Sequence, residues 1–118
     1  MQQSEIADRY TIALLKSTRL PLQLQADFAA QAEHFHAGLD LDKYHGLQDL
    51  VLDLFEINGQ IWDTEKAIRR GEEAQYEPGE IGRMALEVRR LNRARCSVKE
   101  QITTVTGGFR DVKHNYAG

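Results

Sequence analysis

Asn58-Gly59-Gln60-Ile61-Trp62-Asp63-Thr64-Glu65-Lys66-Ala67-Ile68-Arg69 is the stretch on which the reading of this chain turns. Asn58, Trp62, Glu65 and Arg69 follow one another at intervals of four, three and four. At helical pitch they project from one narrow stripe. The surrounding face carries Leu47, Val51, Leu54, Ile61 and Ile68. An apolar face that also holds an amide, an indole, a carboxylate and a guanidinium must provide partners for them, because burying such groups alone is costly. Those partners are other side chains, water or a ligand.

Working outward, the rest of the chain keeps the same period. Strand-type alternation is absent and β-branched clusters are few, so the fold class expected is all-α: an antiparallel bundle of about four helices dominated by a long hairpin. The spacing predicts a first helix over 4–18, with Ser4 as N-cap and Ile6, Tyr10, Ala13 and Leu14 on one side. Ile12 and Leu15 make it apolar almost all round, which suits an interior position. A second helix over 21–39 opens on Pro21 and buries Phe28, Ala32, Phe35 and Leu39. The third runs over 42–70, capped by Asp40 or Asp42 and stopped by Gly71. The fourth, over 79–106, begins at Pro78 and carries a heptad seam: Ile81, Met84, Val88, Leu91, Arg95, Val98, Ile102 and Val105. Gly107-Gly108 ends it, and Phe109 anchors a tail over 107–118. Residues 1–118 read as a single helical domain.

A short connection between two long helices makes them antiparallel neighbours. With Ile68 facing Ile81, Ile61 meets Val88, Asn58 meets Leu91 or Asn92, and Leu47 meets Ile102. Arg95 then falls beside Leu54, inside the seam, and requires an acid from Asp53, Glu56, the first helix or a ligand.

Composition narrows the function classes. The chain has 118 residues, 42% hydrophobic and 28% charged, which is enough for one core without metal or disulfide staples. The single Cys96 excludes an internal disulfide and fits a reducing cytoplasm, where it reads as a semi-buried filler. No apolar run approaches a membrane span, and the opening residues lack a signal peptide's basic and apolar regions. A net charge of −3 argues against nucleic acid as the main partner. Residues 40–65 hold seven acids against Lys43, whereas 83–99 hold six bases against Glu87. Two helices side by side, or an anion-binding patch, account for that asymmetry.

Three blocks resemble a bacterial family of small all-helical proteins of unknown function, often encoded among lipopolysaccharide or other surface-polysaccharide biosynthesis genes. The first block is Ile6 to Lys16, the second Asn58 to Arg69, and the third Asn92, Arg95, Lys99 and Ile102; Gly107, Lys113 and Tyr116 resemble the family's tail. Lys66, Arg93 and Thr103 depart from the pattern, the first two standing where the family carries an acid. The resemblance implies the fold and a link to surface-glycan biosynthesis, and no established activity.

The candidate site is a polar, anion-accepting layer between helices three and four. Trp62 would wall a sugar ring or base, Asn58 and Asn92 would read hydroxyls, and Arg95 and Lys99 would receive phosphate or carboxylate. Glu65 and Arg69 continue the stripe, and Asp8 and Thr11 complete it from the first helix. The plainer alternative makes Trp62 a core residue, Glu65 and Arg69 an i,i+4 pair, and Arg95 half of a buried ion pair fixing register. No metal or cofactor is expected. His34 and His36 point in nearly opposite directions on a helix, and the arm facing Asp49, Asp53 and Glu56 is too basic for a magnesium cage. The expected protein is a non-catalytic cytoplasmic accessory or binding protein for a sugar phosphate or sugar nucleotide. A small all-α enzyme acting on a phosphorylated or carboxylated metabolite is the alternative, and a helical module forming a homodimer is another.

Overall fold

The computed structural model describes residues 1–107 and is all-α, with four helices. They are α1 (Gln3–Arg19), α2 (Leu22–Ala37), α3 (Leu47–Glu73) and α4 (Pro78–Thr106). α3 and α4 form the long hairpin. α1 packs against α2, α3 and α4, whereas α2 touches α1 alone. α1 is the one helix of the four with three neighbours, and it buries Ser4, Asp8 and Thr11 along with Ala7, Ala13 and Leu15, so its expected all-round apolar surface is interrupted by a polar face.

Ala7, Leu39, Leu47, Val51, Leu54, Val98 and Ile102 form the core, with Ile6, Tyr10, Leu41, Tyr44, Leu50 and Ile57 packed around them. That core lies where the start of α3 and the end of α4 meet α1. Of the four residues expected to be buried by the second helix, Ala32 and Leu39 are, while Phe28 and Phe35 are half-buried.

Several boundaries differ from the sequence reading, each for a local reason. Ser4 lies inside α1 and is buried; the flanking residue is Gln2, which makes no side-chain cap. α2 starts after Pro21 and stops at Ala37, and Gln3 of α1 holds the turn beyond it. Its amide donates to the Gly38 carbonyl at 3.0 Å and accepts from the Asp40 N–H at 2.9 Å. Asp40 and Asp42 do not cap α3. The carbonyl of Asp40 closes a turn on Lys43 and Tyr44, and α3 begins at Leu47 behind Gly46, whose φ is 83°.

At the other end α3 runs through Gly71 to Glu73. Tyr76 N–H bonds the Gly71 carbonyl at 2.8 Å and Gln75 N–H bonds that of Glu72 at 3.3 Å, with Gln75 at φ 56°. This is a Schellman closure with glutamine in the left-handed position. Gly71 is the buried residue beneath it: a Cβ there would stand 2.6 Å from Ile81 Cδ1 and 2.8 Å from Tyr76 Cδ2. Ile81 thus lies directly over Gly71. Pro78 starts α4 and Gly107 ends it, as read. The tail anchor Phe109, like Gly108, Lys113 and Tyr116, lies outside the described residues.

Candidate functional site

Arg95 projects from α4 toward α1, where Asp8 is its acid. Nε donates to Oδ1 at 3.0 Å and an Nη to Oδ2 at 2.5 Å, a bidentate pair linking residues 87 positions apart. Asn58 of α3 enters the same layer and donates to Asp8 Oδ1 at 3.2 Å and Thr11 Oγ1 at 2.9 Å. The Thr11 hydroxyl in turn donates to the Asp8 carbonyl at 2.9 Å. Lys99, one turn beyond Arg95, bonds Glu5 at 2.9 Å and stands 3.8 Å from Asp8 Oδ2. Three helices are thereby tied at a single carboxylate.

Charge in the layer is balanced by geometry. Burial pushes the Asp8 carboxyl up, but the guanidinium of Arg95, the Asn58 amide and the Lys99 charge outweigh it and hold the group below its ordinary value. The hydrogen bonds to Asp8 raise Arg95 despite its own partial burial. Thr11 is fully buried, Asp8 and Asn58 nearly so, and among the described residues no buried side-chain nitrogen or oxygen lacks a partner.

The opening stripe splits along its length. α1 leans on α4 at its start, through Glu5 and Lys99, and on α3 at its end. Its last residue, Arg19, donates to Asp63 at 2.5 Å and lies 3.5 Å from the Gly59 carbonyl. Asn58 is therefore roofed by α1, Trp62 is half-buried, and Glu65 and Arg69 are exposed beyond the end of that roof. Glu65 and Arg69 are not among the ion pairs of the described residues. Asn92 does not join Asn58; it lines a separate groove. Of the nine candidate residues, Asn58, Asp8, Thr11, Arg95 and Lys99 converge, and Trp62, Glu65, Arg69 and Asn92 do not.

Sequence reasoning passed over Glu5 and Arg19. The signal for Arg19 was Gly59, a glycine inside an apolar helical pattern with Asp63 one turn on. Such a glycine marks a close neighbour.

The open groove containing Asn92 runs along α4, has a volume of about 690 Å³, and is lined by Ala85, Val88, Arg89, Asn92, Arg93 and Cys96, with Ser97 and the carboxylate of Glu100 completing it. Cys96 is exposed there instead of filling the core. Arg89 and Arg93 form no ion pair among the described residues. Among those residues no cluster of three His, Cys, Asp or Glu side chains is arranged to hold a metal ion, and no helix is long and apolar enough to cross a membrane. Compared with known protein families, curated proteins and solved structures, the chain finds no match.

Proposed function

We propose that the protein is a non-catalytic binding protein in which the Asp8–Arg95 layer is a structural clamp and the α4 groove accepts an anionic ligand. The observation that carries this reading is the division of the cations. Arg95 and Lys99 are committed to Asp8 and Glu5, whereas Arg89 and Arg93 line a groove that also holds Glu100 and form no ion pair with it or with any other acid among the described residues. Asn92 between them supplies an amide that donates and accepts, the equipment for a phosphate attached to a hydroxylated body. Sugar phosphates and sugar nucleotides are the proposed ligand class, and the link to surface-glycan biosynthesis rests on the sequence motif alone.

Thermal-shift measurements with inorganic phosphate, glucose 1-phosphate and UDP-glucose test the reading. Stabilisation by the phosphorylated sugars is expected, lost in Arg89→Ala/Arg93→Ala at unchanged helicity. An unaltered shift in that variant, or no shift with any anion, refutes it.

A second reading is favoured by one observation. α2 rests on α1 alone and exposes Leu22, at 80%, and Leu24, so a homodimer formed through α2 would cover both. Sedimentation across a wide concentration range reads this out, and a strict monomer counts against it.

A further inference from the structure

A second groove lies between α1 and α2, of about 260 Å³, lined by Arg9, Ile12, Ala13, Lys16, Phe28 and Phe35, with Gln31 at its rim. Its layout follows from the antiparallel pairing of the two helices. Lys16 Nζ stands 5.1 Å from the centre of the Phe28 ring. Seven residues back along α1 is Arg9, and seven residues on along α2 is Phe35, so each end of the groove has one cation and one phenyl ring. Seven residues of helix place the two ends about 10 Å apart. Between them the floor is Ala13, whose short side chain leaves the space that the flanking rings enclose.

Neither cation forms an ion pair among the described residues; Lys16 rests on the Phe28 ring. Glu5, the acid one turn before Arg9, is drawn away by Lys99 at 2.9 Å. Glu5 and Asp8, the two acids of α1, are both engaged by α4, Lys99 bonding the first and Arg95 the second. Apolar walls with uncompensated positive charge at the mouth match a ligand with an apolar body and an anionic head: the body excludes water from the rings, and the head takes a charge-assisted hydrogen bond.

We propose that this α1–α2 groove is a binding site for a small carboxylic acid with an aryl or acyl body, held by Lys16 or Arg9 at the carboxylate and by Phe28 and Phe35 along the body. The site is separate from the α4 groove and does not depend on it.

Titration of the full chain with 4-phenylbutyrate, followed by calorimetry and by amide shifts over residues 9–16 and 28–35, tests the assignment. Saturable binding is expected, with 4-phenylbutanol, which keeps the body and loses the charge, roughly tenfold weaker or more. Arg9→Gln/Lys16→Gln should weaken 4-phenylbutyrate by a similar factor at unchanged helicity, since neither side chain forms an ion pair among the described residues and the one cross-helix contact given up is that of Lys16 with the Phe28 ring. Gln31→Trp, a rim change at an exposed position, should block binding by filling the groove. Arg89→Ala/Arg93→Ala should leave it unchanged. Equal affinity for the alcohol, undiminished binding by the double variant, or shifts that map away from α1 and α2 would each overturn the proposal, as would no saturable binding at millimolar ligand.

Discussion

Asp8 is the residue on which the most interactions converge, and its energetics set what substitutions there will do. A buried ion pair is weak evidence of net stability, because desolvating both charges offsets their attraction, yet removing one partner strands the other. Arg95→Met should therefore destabilise by about 3–5 kcal/mol in denaturant unfolding. Combining it with Asp8→Leu should restore much of that loss, so the double-mutant cycle will show strong non-additivity. Additive losses would mean that the pair is not the shared element.

Acid titration probes the same residue. The folded-state value of Asp8 is lowered from an ordinary 3.8, so the unfolded chain binds this proton more readily than the folded one. The stability it contributes is complete above the ordinary value and lost as pH falls through the lowered one. Asp8→Asn, though less stable at neutral pH, should show a shallower fall of melting temperature below about pH 4. Arg95 stays charged throughout and does not enter this window. An unchanged slope would assign the acid sensitivity to other carboxylates.

At the scale of elements, the end of α3 obeys the local rules with residues other than those the sequence pattern singles out. The sequence pattern marks Gly71 as the stop because glycine tolerates the left-handed turn; in the structure Gln75 makes that turn, and Gly71 gives Ile81 and Tyr76 room to close over the helix. The two substitutions should diverge accordingly. Gln75→Gly relieves a left-handed non-glycine residue and should stabilise by about 1 kcal/mol. Gly71→Ala raises helix propensity by a similar amount but places a methyl against Ile81 Cδ1 and the Tyr76 ring, so thermal unfolding should show a net loss. A stabilising Gly71→Ala would mean that the ring swings aside freely.

At the scale of the whole molecule, the long hairpin and the four helices were legible because their evidence is periodic: an apolar stripe repeats within an element and survives errors at its ends. The need of Arg95 for an acid was legible for the same reason, since its place in the heptad put a charge in the seam. Which acid answers it does not follow from the sequence, because Asp8 lies 87 residues away and nothing periodic links two helices so distant. The stripe from Asn58 to Arg69 was likewise visible as a stripe, but only the position of Arg19 at the end of α1 decides where cover stops and exposure begins.

The molecule measures 49 × 43 × 21 Å, and the shortest dimension is about two helix diameters. It is a thin assembly of two helical hairpins, α1–α2 and α3–α4, fastened across their faces by α1. Each hairpin closes over a short stretch of chain, whereas the Asp8–Arg95 link closes a loop of most of the sequence. Loop-closure entropy therefore orders the events: each hairpin is cheap to nucleate, and their docking comes late. A contact absent from the transition state leaves the refolding rate alone and appears in the rate of escape. Stopped-flow chevrons of Arg95→Met should accordingly show an unfolding limb displaced upward and a refolding limb nearly superimposed on the parent. The clamp that holds three helices at one carboxylate would then act as a latch, governing how long the fold lasts and leaving its speed of formation to the hairpins.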